Sequence, residues 1–169
     1  MPVRTDLPEL ADLLPTADVV DVKTATGTVT LREFVAGTLG SSPLWIKALF
    51  AVRIVVAKAL RLDTAWMPPQ PRLRPETVSF TPGDPAAFFE VVRGEEDHYL
   101  LLKVTDNHLI GYLAYITDNA SPERKFKVVT LVHYLRPVGR FYYTAISPFH
   151  HLVIYSMIRS GLRASFPPA

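Results

Sequence analysis

The stretch VGRFYYTAISPFHHLVIYSMIRSGLR, Val138 to Arg163, decides how the rest of the chain is read. From Phe149 to Ile158 nearly every residue is apolar or aromatic, and only Ser156, Arg159, Ser160 and Arg163 give the second half a narrow polar stripe. A helix that apolar has to be covered over most of its circumference. The segments ahead of it are strand-like and are the natural cover. The sequence therefore predicts a curved sheet wrapped around a long C-terminal helix, with room for a pocket between them.

Four closely spaced strand-like segments precede that helix: Ala87–Arg93, His98–Thr105, His108–Thr117 and Lys125–Arg136. Their short polar connectors, such as Asp106-Asn107, make them antiparallel neighbours. Several positions are apolar on both faces, so one face meets a helix and the other meets something else. Further upstream, Ala17–Thr24 sets Val20 and Val22 against Asp21 and Lys23, the alternation of a first strand with one wet face. Thr30 and Glu33 form a capping-box pair that opens a helix over Leu31–Leu39. Ser42-Pro43 starts a second helix reaching Arg61, with Lys47, Lys58 and Arg61 on its solvent face and Arg53 off that cluster. Asp6 and Glu9 have the same capping-box spacing and predict a short turn of helix ended by Pro15. The prolines of 63–85 predict a loop with a short edge strand at 76–81. A strand, two short helices, a meander of strands and a long final helix make an α+β fold. We read 1–169 as one domain, with 1–16 as an N-terminal extension.

Composition narrows function by exclusion. At 49% hydrophobic and 20% charged residues the chain is globular rather than disordered. A net charge of +2 is too small to point to nucleic acid. The absence of cysteine removes disulfides, thiolate catalysis and thiolate metal sites. No His/Asp/Glu spacing matches a metal motif, and no P-loop, dinucleotide fingerprint or nucleophile elbow is present, so neither metal nor cofactor is expected. The N-terminus has no signal-peptide pattern. The apolar run Leu44–Leu60, broken by Lys47, Arg53 and Lys58, falls short of the roughly 20 apolar residues that cross a bilayer. The expectation is a cytoplasmic protein whose membrane contact is at most peripheral, with oligomerisation left open.

Three stretches carry a family resemblance: SSPLWIKALFAVRIVVAKALRL at 41–62, TDNHL at 105–109, and RPVGRFYYTAISPFHHLVIYSMIR at 136–159. The order of elements resembles the helix-grip fold of the START/SRPBCC superfamily, in which an antiparallel sheet grips a C-terminal helix. Within it, the chain is similar to a bacterial family of SRPBCC-like domains of unknown function. There a Gly-Arg-aromatic stretch leads into Pro-Phe-His, here Gly139-Arg140-Phe141 and Pro148-Phe149-His150. The resemblance implies a cavity for apolar or amphipathic molecules; some superfamily members are polyketide cyclases or hydrolases, and others only bind. Fold analogy does not assign a reaction.

The candidate residues follow from that picture. Pro148 inside the last helix either bends it or starts a new helix capped by Ser147. His150 and His151 are adjacent, about 100° apart on a helix, so at most one faces the sheet. A histidine there is either a buried structural group or a general base. Arg53, among Val52, Ile54, Val55 and Val56, either reaches water, forms a structural ion pair, or points inward at an anionic group. The favoured expectation is a small apolar or amphipathic ligand, with Trp45, Tyr112, Tyr134, Tyr142 and Tyr143 as walls and Arg53 and His150 as polar anchors. The alternatives are a cyclase- or hydrolase-like enzyme using His150 and a tyrosine, and a module that docks the 43–61 helix on a membrane or partner.

Overall fold

A computed structural model describes residues 7–40, 44–62, 73–119 and 122–164; of residues 44–46, 49 and 50 it describes the backbone alone. The elements run β1 (Val19–Gly27), α1 (Leu31–Gly40), α2 (Leu44–Ala59), β2 (Pro85–Ala86), β3 (Phe89–Glu95), β4 (Tyr99–Thr105), β5 (Leu109–Asp118), β6 (Arg124–Tyr134) and α3 (Pro137–Leu162). The strands form one sheet in the order β1-β6-β5-β4-β3-β2. Every pairing in it is antiparallel. The first strand pairs with the last, from Val19↔Val132 to Gly27↔Arg124, which ties the two ends of the fold together. The fold is the α+β helix-grip arrangement that the order of segments implied.

α3 is one helix of 26 residues with Pro148 inside it, so Ser147 does not cap a separate helix. Pro137 occupies its first turn, where a missing N–H costs nothing. Two close approaches fix where α3 lies. At its start, a Cβ on Gly139 would sit 2.4 Å from the His108 carbonyl oxygen, so this helix end rests directly on the β4–β5 turn. At its far end, a Cβ on Gly161 would meet Thr38 Cγ2 at 2.6 Å, and one on Gly37 would meet Gly161 Cα at 2.9 Å. α1 and α3 therefore cross nearly backbone to backbone. The capping box of α1 forms as expected: Thr30 N–H donates to the Glu33 carboxylate at 2.7 Å, and Glu33 N–H to the Thr30 hydroxyl at 3.2 Å. Below the crossing, Phe34 stacks on Phe126 at 4.2 Å between centroids and meets the edge of Tyr115 at 5.8 Å. The buried Tyr115 hydroxyl is shared with Thr38 at 2.8 Å.

The other face of the sheet is covered by the start of the chain. Leu7, Leu10, Leu14 and Ala17 are buried against Leu101, Ala114, Ile116, Val129 and Leu131. The short turn of helix expected here is formed as two 3₁₀ turns, Pro8–Leu10 and Leu14–Thr16, which carry Leu10 and Leu14, with Pro15 inside the second rather than ending the segment; Asp6 of the proposed cap lies outside the described residues. A register shift between Val91 and Arg93 in β3 pairs Arg93 with Leu101 and so puts it on the outer face beside Val92. Arg93 then grips Asp12, with its Nη1 3.0 Å from one carboxylate oxygen, and donates to the Glu9 carbonyl at 2.9 Å. The described part of 1–16 is thus a structural cover rather than an appendage. The edge strand expected at 76–81 is not formed: Pro75–Thr77 is a 3₁₀ turn, and the outermost pairing belongs to β2. Residues 63–72 of the proline-rich stretch lie outside the described residues.

Candidate functional site

Between the inner face of β4–β6 and the middle of α3, side chains fail to meet and leave a cavity of about 200 Å³. Leu113 and Val132 from the sheet, and Ile146, Val153 and Met157 from α3, make its walls apolar. Arg53 of α2 and Asp106 of the β4–β5 turn stand at a rim shared with a more polar recess that also takes in Glu90, Lys103 and Thr105.

Arg53 points inward. Its Nη2 lies 2.8 Å from the Asp106 carboxylate, and its Nε donates to the Tyr142 hydroxyl. The Asp106 side chain is 7% exposed and that of Arg53 22%, so neither end of the pair is in open water. A charge pair so enclosed adds little net stability, but removing one partner strands the other. Burial raises the pKa of Tyr142, with the Arg53 guanidinium working against that rise, so its phenol is held as an acceptor for Arg53. The ring of His108 meets Tyr142 edge-on at 4.6 Å and is fully buried. Burial depresses its pKa and keeps it neutral; Asp106 opposes the shift, and Arg53 and Arg136 reinforce it. The His108 carbonyl accepts the Leu135 N–H at 2.9 Å, which joins the turn to the start of α3. The TDNHL turn and the Gly-Arg-aromatic stretch are therefore two halves of one junction.

Tyr143 and His150 face the opposite end of the cavity, with ring centroids 5.9 Å apart. Three atoms lining this cavity are buried with no hydrogen-bond partner among the described residues: the Tyr143 hydroxyl, His150 Nε2 and Thr130 Oγ1. Ser147 lies beside the Tyr143 hydroxyl and weakly opposes the rise in its pKa, yet no hydrogen bond of ordinary geometry joins them. That rise comes first from burial and then from Asp21 and Tyr134. Burial pushes His150 down to about 4, helped by His151 and Lys23 and opposed by Asp21. Asp21, whose charge is felt at both Tyr143 and His150, is also the cross-strand partner of Thr130. Asp21 itself is taken by Lys23 at 2.6 Å, and Lys23 Nζ lies 3.1 Å from His151 Nδ1. Thus His150 faces the cavity, and His151 faces the rim of the sheet.

The expected wall residues divide. Arg53, Tyr142, Tyr143 and His150 line the cavity. Tyr112 borders it only as strand: in β5, Leu113 and Tyr115 point inward, while Tyr112 packs with the outer cluster, its ring 5.4 Å from His133. Tyr134 is not part of the lining; it packs beside Tyr143 at 6.4 Å, with the Arg140 guanidinium 5.9 Å over its ring. The side chain of Trp45 lies outside the described residues. Sequence reading missed Asp106, taken as a turn residue, and Thr130. The signal for Thr130 was present: with Phe126, Val128 and Val132 it occupies every second position of β6, the one polar member of an apolar row. Among the described residues, no group of three or more His, Cys, Asp or Glu side chains could hold a metal ion.

No curated protein matches the chain. Among solved structures, the crystal structure of Ara h 8.0201 is similar, with a TM-score of 0.40 and 10% identity over 85% of this chain and 97% of that one. A likeness that remote adds nothing to the architecture described above. A family model described as "Protein of unknown function" matches residues 13–157, which takes in every strand and most of α3. The chain belongs to that family, DUF2867.

Proposed function

We propose that the protein binds a small apolar or amphipathic molecule between the sheet and α3. One observation supports this reading above the others: the inner face of the sheet and the middle of the longest helix, both rich in large apolar side chains, leave about 200 Å³ unfilled. Protein interiors are close-packed, and an unfilled apolar space forfeits contact energy that a ligand would restore. A concave apolar site with a few convergent polar groups is the usual form of a small-molecule pocket. The test is native mass spectrometry of the purified protein with the released molecules identified. A bound apolar species lost on denaturation supports the reading. A bare protein that takes up no member of a panel of aromatic and aliphatic alcohols sinks it.

Acid/base chemistry by His150 and a tyrosine is less well supported. A general base works best with a pKa near the operating pH. Burial takes His150 to about 4 and raises Tyr143 away from neutrality, so neither is poised to exchange protons there.

A second reading has its own support. Val52, Ile54 and Val55 of α2 are 40%, 45% and 65% exposed, an apolar surface with exposed Lys47, Lys58 and Arg61 on the same segment. No helix among the described residues is long and apolar enough to cross a membrane. A surface-lying helix of this composition suits an anionic bilayer. Co-sedimentation with anionic vesicles at low salt, lost in the Val55→Glu variant, supports it; no sedimentation removes it.

A further inference from the structure

We propose that the molecule taken by the cavity is uncharged and carries a hydroxyl group, which docks among Tyr143, His150 and Thr130. This rests on the binding reading above and adds the chemistry of the ligand's polar end.

Three observations carry it. The first is satisfaction. Tyr143 and Thr130 are 7% and 6% exposed, yet the Tyr143 hydroxyl, the Thr130 hydroxyl and His150 Nε2 have no partner among the described residues. Buried polar groups are nearly always hydrogen-bonded, and exceptions that face one cavity, here from α3 and from β6, mark where a ligand completes the network. The second is charge. Among the described residues the lining has one cation, Arg53, and it is already held by Asp106 and Tyr142 at the far rim. Lys23, whose charge is felt at His150, is held by Asp21 and His151. The Asp21 carboxylate adds negative potential at both Tyr143 and His150. A carboxylate or phosphate placed there would be desolvated without a counter-ion, which is costly. An ammonium group would have to share Asp21 with Lys23, which already holds one of its carboxylate oxygens at 2.6 Å.

The third is donor–acceptor matching. Tyr and Thr hydroxyls both donate and accept, and a neutral imidazole nitrogen does one or the other according to tautomer. A ligand hydroxyl, which also does both, satisfies the trio with either tautomer of His150. A ketone accepts only, and leaves Nε2 unpaired whenever that nitrogen is the acceptor. The remaining walls, with Leu113, Val132, Ile146 and Val153, ask for an apolar body.

Equilibrium dialysis at pH 7.5 with three matched probes tests this: 2-naphthol, naphthalene and 2-naphthoate. The expected result is 2-naphthol bound at least tenfold more tightly than either of the others. Sites built to hydrogen-bond a hydroxyl discriminate strongly against analogues that lack it. Tyr143→Phe and Thr130→Val each delete one hydrogen-bonding group at nearly constant volume. Each should cut the 2-naphthol preference several-fold without weakening naphthalene binding, since the wall becomes more apolar; two variants guard against one of them failing to fold. Equal binding of 2-naphthol and naphthalene, tightest binding of 2-naphthoate, or an unchanged preference in both variants would overturn the proposal while leaving the binding cavity standing. Binding of none of the three overturns the hydroxyl proposal and the cavity reading together.

Discussion

Gly139 shows how one missing carbon sets the geometry of the site. Its Cβ would meet the His108 carbonyl oxygen at 2.4 Å and the carbonyl carbon at 3.3 Å, backbone atoms that cannot rotate aside. Gly139→Ala should therefore cost about 1–3 kcal/mol, the range for overpacking a tight contact. In Gly111→Ala the new methyl meets, among the described residues, only Val104 Cγ1, at 3.3 Å, and the cost should be smaller. Urea midpoints of the two variants check the ordering, and equal losses would mean that the junction is looser than described. His150 gives a prediction in pH. Its folded pKa is about 4, below the ordinary histidine value, chiefly because burial disfavours the charged ring. Between those two pH values the unfolded chain binds a proton that the folded chain refuses. Stability from this residue is therefore complete above about pH 6.5 and falls as pH drops toward 4, by at most about 1.4 kcal/mol per pH unit. His108 is shifted the same way by burial. His98 is shifted the opposite way, because the carboxylates of Glu95 and Glu9 outweigh its burial. His150→Gln isolates the contribution: its loss of stability between pH 7 and pH 5 should be smaller than that of the unaltered protein.

At the scale of elements, legibility follows the source of each signal. α3, α1 and the meander could be read because periodicity, caps and short turns are local features of the chain. The role of the first residues could not. Asp6 and Glu9 mark a short turn of helix, and what Leu7, Leu10 and Leu14 cover is decided by β4, β5 and β6, about a hundred residues away. The clue was indirect: strands apolar on both faces need two covers, and the helices supply one. Leu10 is 0% exposed, packed among residues of the outer sheet face. Leu10→Ala should cost about 2–5 kcal/mol, a core-sized loss in a segment that would pass for a tail. Thermal unfolding of Leu10→Ala beside Leu13→Ala, whose side chain is only half-buried, separates a core position from its neighbour. A loss below 1 kcal/mol at Leu10 would mean that the outer face does not depend on this cover.

For the molecule as a whole, stability and the cavity occupy different parts of the same interior. One inner cluster joins α1 and the C-terminal half of α3 to the sheet through Phe34, Tyr115, Phe126, Ile154 and Ile158. A second joins α2 and the N-terminal half of α3 to the sheet through Ala57, Leu109, Val132, Tyr142 and Tyr143. The cavity lies between them, along Ile146 to Val153 of α3. Sequence reading could name residues of both clusters, since apolar and aromatic side chains announce themselves. It could not say which of them would be left short of contact, because a void is a property of how distant elements meet. Hence Tyr142 and Tyr143 line the space, whereas Tyr112 borders it through its strand and packs its ring with the outer cluster. If the two clusters carry the fold, bulk added to the space between them should leave stability nearly intact and remove binding. Val153→Phe directs a ring into that space from the middle of α3. Its unfolding free energy should stay within about 1.5 kcal/mol of the original, the usual tolerance for apolar substitution that finds room. Its affinity for 2-naphthol should fall at least tenfold. A Val153→Phe protein that unfolds by several kcal/mol more readily would show instead that the space is already filled.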